Sequence, residues 1–436
     1  MSETSPNRTC LIIDPGLRVS SGHHLNAARH IVETARDAGF RTRILASRFA
    51  SGAVRGGLGA EPVFTNSAYS VGDGSQASYD RYAATTSDAL ISAMGPDFSV
   101  PELIVLPTAD AALAEALAGY LALFPADLRP GVVAWLLLPR DFLRMNTPEP
   151  DGGGVRGFQR LDAALGPGRL AVFVETEAVQ ASFAKDFSAP IQIAPSPSTA
   201  LQTVTPRRRA AAGAPVFSAF GHIRPGKGFE LLPGAIAAAA AKRPDIAFRI
   251  HATPNAPDHP ALLAAIEQAA DNVEVIGHEL DGPAYEALLH GADVAILPYD
   301  PEIYRERGSG IFNECEQLGT PVIAPSGCSF ATSAIADGRA VPMDGYGPEA
   351  LGAAIIVAAD QFEALSARCY DHAVRLQDGV QSLGRVLRAT ANAPISGATR
   401  PAGAGRVFWR ARILHRLREL ARIGTIRKAR TLDRNA

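Results

Sequence analysis

The chain has 436 residues, of which 47% are hydrophobic and 20% are charged, and its net charge is −2. This composition is typical of a globular protein of two or three domains and excludes a disordered chain. A near-neutral balance gives no general attraction to nucleic acid, and no apolar run is long enough to predict a membrane span. A polar N-terminus and four scattered cysteines without a CxxC pair predict a cytoplasmic protein with reduced thiols and no zinc site.

The first half of the chain alternates short apolar runs with helical stretches. A strand, a glycine turn, a helix and a second strand over residues 10–46 form a βαβ unit. Continuous apolar runs are typical of strands that are covered on both faces, as in parallel sheets. The predicted strands are 10–14, 41–46, 103–106, 132–138 and 170–174, and the predicted helices are 23–38 and 109–123. Residues 51–76, rich in glycine and serine, are predicted to be an irregular loop.

The second half repeats this alternation after a stretch rich in proline, arginine and alanine. The predicted strands are 216–220, 247–251, 273–276, 294–297 and 321–324, and the predicted helices are 229–242, 260–270, 285–290, 310–318 and 349–359. The pattern predicts an N-terminal Rossmann-like domain (1–195), a linker (196–214), a C-terminal Rossmann-like domain (215–395) and a basic tail (396–436). Two parallel-sheet domains leave a cleft at the carboxyl ends of their strands, where open sheets bind ligands.

A glycine-rich turn joins the first strand of the second half to a helix. It contains Gly221, His222, Arg224, Lys227 and Gly228. Backbone N–H groups at such a turn, next to the positive end of a helix dipole, suit a phosphate, and Arg224 and Lys227 add charge. The spacing is not that of a Walker motif. Taken alone, an ordinary charged surface turn is an equal alternative.

A second strand–loop–helix segment also predicts a site for an anion. Ser309 or Gly310 is predicted to cap a helix, which leaves the N–H groups of Gly310 and Ile311 available to an anion. Glu314 lies one turn into that helix, where a carboxylate can accept hydrogen bonds from the two hydroxyls of a ribose. Alternatively, Glu314 is an acid that complements the helix dipole.

The order and spacing of four elements resemble retaining glycosyltransferases of family 4, which have the GT-B fold. These elements are Gly221 followed by Lys227-Gly228, the strand end from Asp293-Val294 to Pro298, the pair Glu306 and Glu314 separated by seven residues, and Gly319-Thr320-Pro321-Val322-Ile323. The match covers residues 216–359. Two departures are His222, where the family usually has arginine, and Glu306-Arg307-Gly308-Ser309, where the family tends to read Glu-Gly-Phe-Gly.

The resemblance implies a role for each matching residue. Lys227 would bind the pyrophosphate of a nucleotide-sugar donor, with Arg224 as a further contact and Ser309, Gly310 and Ile311 offering the helix end. Glu314 would hold the ribose, and Glu306 would lie near the transferred sugar. The resemblance also implies retention of the anomeric configuration, no cofactor and no metal, because the basic groups and the helix end replace the metal.

In the first half, Gly22, His23 and His24 lie on the first turn between strand and helix, facing the predicted cleft, and Gly22 is a donor-binding candidate. His23 is a candidate for contact with the sugar or for proton transfer from an acceptor hydroxyl, and His24 is an acceptor-side candidate. Solvent-exposed histidines at a helix start are the alternative. Arg140 and Asp141 follow another strand and are acceptor-side candidates, or a surface ion pair.

The tail over residues 406–434 carries ten Lys or Arg and one apolar helical face. It is predicted either to lie on an anionic inner membrane surface near a lipid-linked acceptor, or to pack on the protein. The leading functional hypothesis is a glycosyltransferase for a glycan or lipid-linked acceptor, in polysaccharide or glycoconjugate synthesis. A nucleotide-sugar epimerase of the same fold and a non-catalytic nucleotide-sugar-binding partner are the alternatives.

Overall fold

The structure, a computed structural model, describes residues 8–19, 22–67, 75–94, 100–137, 153–166, 168–197, 206–207, 215–254, 259–380 and 382–393. Two parallel sheets, one of seven strands and one of six, each form the centre of an α/β domain. The GT-B architecture of two Rossmann-like domains, expected from the sequence, is confirmed. Arg140, Asp141, the tail and most of the linker lie outside the described residues.

The first domain is built on the sheet order β3-β2-β1-β4-β5-β6-β7. Its elements are β1 Thr9–Asp14, α1 His23–Asp37, β2 Arg41–Ser47, α2 Gly52–Leu58, β3 Glu61–Phe64, α3 Gln76–Met94, β4 Leu103–Leu106, α4 Ala111–Leu121, β5 Gly131–Trp135, α5 Gly153–Leu165, β6 Leu170–Val174, α6 Glu177–Phe183 and β7 Ile191–Ile193. Helices cover both faces, so the sheet contributes to two apolar clusters. The strand order reverses between β1 and β4, which places a crevice beside the carboxyl end of β1.

The second domain is built on the sheet order β10-β9-β8-β11-β12-β13. Its elements are β8 Val216–His222, α7 Leu232–Lys242, β9 Ala247–Thr253, α8 His259–Glu267, β10 Val273–Ile276, α9 Gly282–Gly291, β11 Val294–Ile296, α10 Gly310–Leu318, β12 Val322–Pro325, α11 Thr332–Ala336, β13 Ala340–Met343, α12 Pro348–Asp360, α13 Phe362–Val380 and α14 Ser382–Asn392. Here the order reverses between β8 and β11. The two loops that follow these strands therefore flank the crevice of this domain.

The prediction of an irregular loop over residues 51–76 is wrong for its first part, which contains α2 and β3. Ser51 caps α2, because its side chain accepts a hydrogen bond from the N–H of Val54, and Gly59 ends the helix in the left-handed region at φ 63°. Val54 is fully buried. The Ser51 cap and the burial of Val54 stabilise α2, although its three glycines lower its helix propensity.

The last described helix lies apart from the second sheet. Helix α14 packs on the first domain, where Leu387 joins the apolar cluster beneath β1. Arg8, just before β1, donates a hydrogen bond to the side chain of Asn392 at 2.7 Å. The chain therefore returns to the first domain after α13, and the two domains are connected twice.

Among the described helices, none is by itself long and apolar enough to cross a bilayer. The helices over Pro348–Asp360 and Phe362–Leu376 would together have the length and apolar composition of a membrane span, but the chain bends by 81° between them.

Gly157 lies where α5 approaches the backbone of α4 closely. A Cβ atom at this position would lie 1.8 Å from the carbonyl oxygen of Ala111. We expect Gly157→Ala to lower the free energy of unfolding by about 3 kcal/mol, because two helix backbones must separate to admit the methyl group. Urea unfolding midpoints measure the change.

Gly119→Ala is the matched control, since Gly119 lies in α4 and its added Cβ would meet only Ser87 Oγ, at 3.8 Å. This exposed helical position should gain about 0.5–1 kcal/mol from the loss of glycine flexibility. Equal effects of the two substitutions would show that the helix approach at Gly157 is not tight.

Candidate functional site

Two histidines with tilted, neighbouring rings begin α1, after the turn that follows β1. The rings of His23 and His24 lie 4.1 Å apart, and His24 Nδ1 pairs with the buried carboxylate of Asp14, 2.9 Å from its Oδ1. A Cβ on Gly16 would lie 2.1 Å from the His24 ring, so glycine is required there. Gly22 precedes α1 with φ 81°, in the left-handed region that favours glycine. The ring of His24 thus packs against the turn at Gly16 and is fixed by Asp14.

His23 is exposed at the start of α1, although the cleft around its ring partly desolvates it. This desolvation lowers its pKa to about 4, and the nearby charges of His24 and Arg224 act in the same direction while Asp14 opposes them, which favours the neutral imidazole. Arg224 belongs to the other domain, so the histidine turn and the glycine-lysine turn lie on opposite walls of one cleft. A neutral histidine there can accept a proton or a hydrogen bond from a substrate hydroxyl.

The glycine-lysine turn is fixed against the loop that follows β11. A Cβ on Gly228, whose φ is 68°, would lie 1.8 Å from the carbonyl oxygen of Pro298. The Nζ atom of Lys227 lies over the Tyr299 ring, 3.5 Å from its centroid, and 5.4 Å from that of Tyr304. The Arg224 guanidinium donates to the Tyr304 hydroxyl at 3.1 Å. Two basic side chains are therefore held on one aromatic pair.

Lys227 is only 9% exposed. Burial, and then the charge of Arg224, hold its pKa well below the usual value for lysine. An anion bound between the two cations would offset both effects, because it restores a favourable partner to a desolvated ammonium group. The electrostatics of this turn favour a negatively charged ligand.

The start of α10 lies beside the same turn. Ser309 is the N-cap, and its Oγ accepts a hydrogen bond from the N–H of Phe312 at 3.3 Å. A Cβ on Gly221 would lie 3.6 Å from Ile311 Cδ1, which shows how close the two segments are. The N–H groups of Gly310 and Ile311, in the first turn, have no acceptor within the helix. With Lys227 and Arg224 nearby, these N–H groups have the arrangement that suits a phosphate or a diphosphate.

Glu314 follows within α10 and receives a hydrogen bond from the Tyr285 hydroxyl at 3.1 Å. Burial raises the pKa of Glu314 to about 7, and the Tyr285 bond opposes that rise. Tyr285 also lies against the rings of Phe220 and His251, at 6.5 and 6.1 Å between centroids. A tyrosine from α9 thus fixes the orientation of the Glu314 carboxylate.

The other predicted site residues form fewer contacts with the rest of the site. Within the part of the chain that the structure describes, Glu306 is half-buried and forms no hydrogen bond or ion pair. His222 is largely exposed, and its Nδ1 lies 2.6 Å from Thr253 Oγ1 and 3.5 Å from Glu279 Oε1. His222 thus contacts Thr253 and Glu279, and Arg224 is the basic residue whose charge acts on Lys227. The roles of all these residues remain predictions.

Sequence reasoning missed the residues that support the site, namely Asp14, Glu175, Tyr285, Tyr299, Tyr304 and Asn313. Two of them, Asp14 and Glu175, end a strand or follow it directly. This is the kind of position that made Arg140 and Asp141 candidates. The described residues contain no group of three or more His, Cys, Asp or Glu that could hold a metal ion.

The two sheets and the cleft between them define a two-domain α/β protein of the GT-B class. Sucrose-phosphate synthase from Thermosynechococcus elongatus has a similar structure, with 14% identity over 95% of this chain and 100% of that chain and a TM-score of 0.56. WaaG, a glycosyltransferase involved in lipopolysaccharide biosynthesis, shows 15% identity over 89% and 100% of the chains and a TM-score of 0.55.

UDP-GlcNAc 2-epimerase from Neisseria meningitidis, bound to UDP-GlcNAc, has 13% identity over 87% of this chain and 100% of that chain, with a TM-score of 0.53. At these identities the similarity is one of fold. No family model and no curated protein matches the chain in sequence.

Proposed function

We propose that this protein is a glycosyltransferase that moves a sugar from a nucleotide-diphosphate donor to a hydroxyl acceptor with retention of configuration, as in family 4. One observation carries the proposal. Lys227, Arg224 and the first turn of α10 converge on one place, and Glu314 lies one turn farther along the same helix. This is the order of groups that a diphosphate followed by a ribose requires.

The chemistry follows from this arrangement. When the bond between the sugar and the diphosphate breaks, negative charge develops on the leaving phosphate oxygen. Lys227, Arg224 and the N–H groups of Gly310 and Ile311 would stabilise that charge, as preorganised donors do in other transfer reactions. Neutral His23, on the opposite wall, would contact the sugar or its acceptor. Glycan and lipid-linked alcohols are the proposed acceptors.

A thermal-shift screen with UDP-, GDP- and ADP-sugars tests donor binding. We expect one base to raise the melting temperature, since a ligand at 100 times its Kd stabilises the folded state by about 2.7 kcal/mol. NMR of the product formed with that donor would then show retention. Absence of stabilisation by every nucleotide sugar would contradict the proposal.

An epimerase is the second candidate, because the structurally similar epimerase of Neisseria meningitidis is bound to UDP-GlcNAc. Incubation of the stabilising nucleotide sugar without acceptor separates the two activities. An epimerase converts the sugar under these conditions, and a transferase leaves its configuration unchanged.

A further inference from the structure

A carboxylate of the first domain reaches into the donor side of the cleft. Glu175 follows β6 directly, and its Oε1 accepts a hydrogen bond from Asn313 Nδ2 of α10 at 2.8 Å. The same oxygen accepts a longer bond, 3.4 Å, from the N–H of Ser196, where the chain leaves the first domain. The Glu175 side chain therefore links the first domain to Ser196, where the linker between the domains begins, and to helix α10 of the second domain.

Gly308 explains how the carboxylate fits. A Cβ on this residue would lie 2.0 Å from Glu175 Oε2 and 2.7 Å from its Cδ. Gly308 does not have a positive φ. Its backbone conformation would accept other residues, so the glycine leaves space for Glu175.

The contact is largely removed from water. Asn313 is 8% exposed, and burial raises the pKa of Glu175 to about 7 although Ser196 and Asn313 donate to it. A buried acid and a buried amide that lose each other leave polar groups unsatisfied, which costs about 1–3 kcal/mol. The two domains are therefore held together here by a specific bond as well as by packing.

The contact of Glu175 with Gly308 and Asn313 lies next to the candidate donor-binding residues of α10. Asn313 immediately precedes Glu314, and Gly308 immediately precedes the helix cap Ser309. Any movement of Glu175 relative to α10 therefore moves the segment that carries the N–H groups of Gly310 and Ile311.

We propose that Glu175 is a positioning residue that latches the first domain to Gly308 and Asn313, and so holds the anion-binding segment of the second domain in place. The latch joins the two walls of the cleft without touching the ligand. The identity of the ligand rests on the function proposed above, whereas the latch itself does not.

Small-angle X-ray scattering of the full chain tests the latch without any ligand. Glu175→Ala and Asn313→Ala should each increase the radius of gyration, because the domains separate when the bond is lost. Glu175→Gln should match the unmodified protein, since its amide oxygen still accepts from Asn313. Glu177→Ala is the control, as Glu177 is exposed in the first turn of α6, two residues away. An unchanged radius in both alanine variants would overturn the proposal.

A double substitution keeps the test decisive if Glu175→Ala folds poorly. Gly308→Ala should lower the melting temperature in the presence of Glu175 and have little effect in the Glu175→Ala background, where the clash is removed. Additive effects would show that Gly308 and Glu175 are not in contact, and would overturn the proposal.

Calorimetry with the stabilising nucleotide sugar links the latch to the site. Glu175→Ala should raise the Kd by about tenfold, the effect of losing roughly 1.4 kcal/mol of preorganisation. Glu175→Gln should restore an affinity within about twofold of the unmodified protein. Failure of every nucleotide sugar to bind would contradict the proposed function alone, while unchanged scattering would contradict the latch alone.

Discussion

Lys227→Met should reduce the affinity for a nucleotide-diphosphate sugar by about ten- to a hundredfold. The lysine provides a charged hydrogen bond to a diphosphate, and bonds to charged groups contribute about 1.5–3 kcal/mol. Methionine keeps an unbranched apolar stem over Tyr299 and Tyr304, so the loop should stay folded. Isothermal titration calorimetry with the nucleotide sugar that stabilises the protein measures the loss.

Lys242→Met is the matched control for charge. Lys242 is exposed at the C-terminal end of α7, the helix that follows the glycine-lysine turn, and so lies at the opposite end of that helix from the site. Its replacement should leave the affinity within about twofold, because exposed charges at this distance are screened by salt. If both variants bound equally well, Lys227 would not contact the diphosphate.

Much of the fold was predictable because it depends on local patterns. The apolar runs that became β1, β4 and β6 are continuous, and parallel strands covered on both faces need such runs. Helix α2 was missed because Gly52, Gly56 and Gly57 reduce its propensity, while its stability comes from the Ser51 cap and the burial of Val54. Strand β13 was missed because Pro342 interrupts its apolar pattern.

The residues of the candidate site also differ in whether a local sequence pattern predicts them. Lys227, Gly310 and Glu314 each lie within a short motif whose geometry follows from a strand, a turn and a helix start. Glu175 and Asn313 are 138 residues apart in sequence, and nothing local to either one indicates the other. Tyr285, which orients Glu314, comes from a different helix. The candidate binding groups were thus visible in the sequence. The groups that hold them in place come from other elements and, for Glu175, from the other domain.

Glu314→Gln should have an effect on donor affinity that depends on pH. A ribose presents two hydroxyl donors, and an ionised carboxylate accepts from both. Burial raises the pKa of Glu314 to about 7, so the fully accepting form is populated only above neutrality. Above pH 8 we expect the variant to bind about tenfold more weakly, since one charge-assisted hydrogen bond is worth about 1.5–3 kcal/mol.

The difference should vanish as the pH falls. Below pH 6 Glu314 is protonated, and a carboxylic acid and an amide of the same size then offer the ribose equivalent groups. The ratio of the two affinities isolates Glu314, because Lys227 and His23 titrate equally in both proteins. Glu302→Gln, an exposed position in the loop between β11 and α10, should leave the affinity unchanged at every pH. A ratio that stayed constant between pH 5.5 and 8.5 would show that Glu314 does not hold the ribose as a carboxylate.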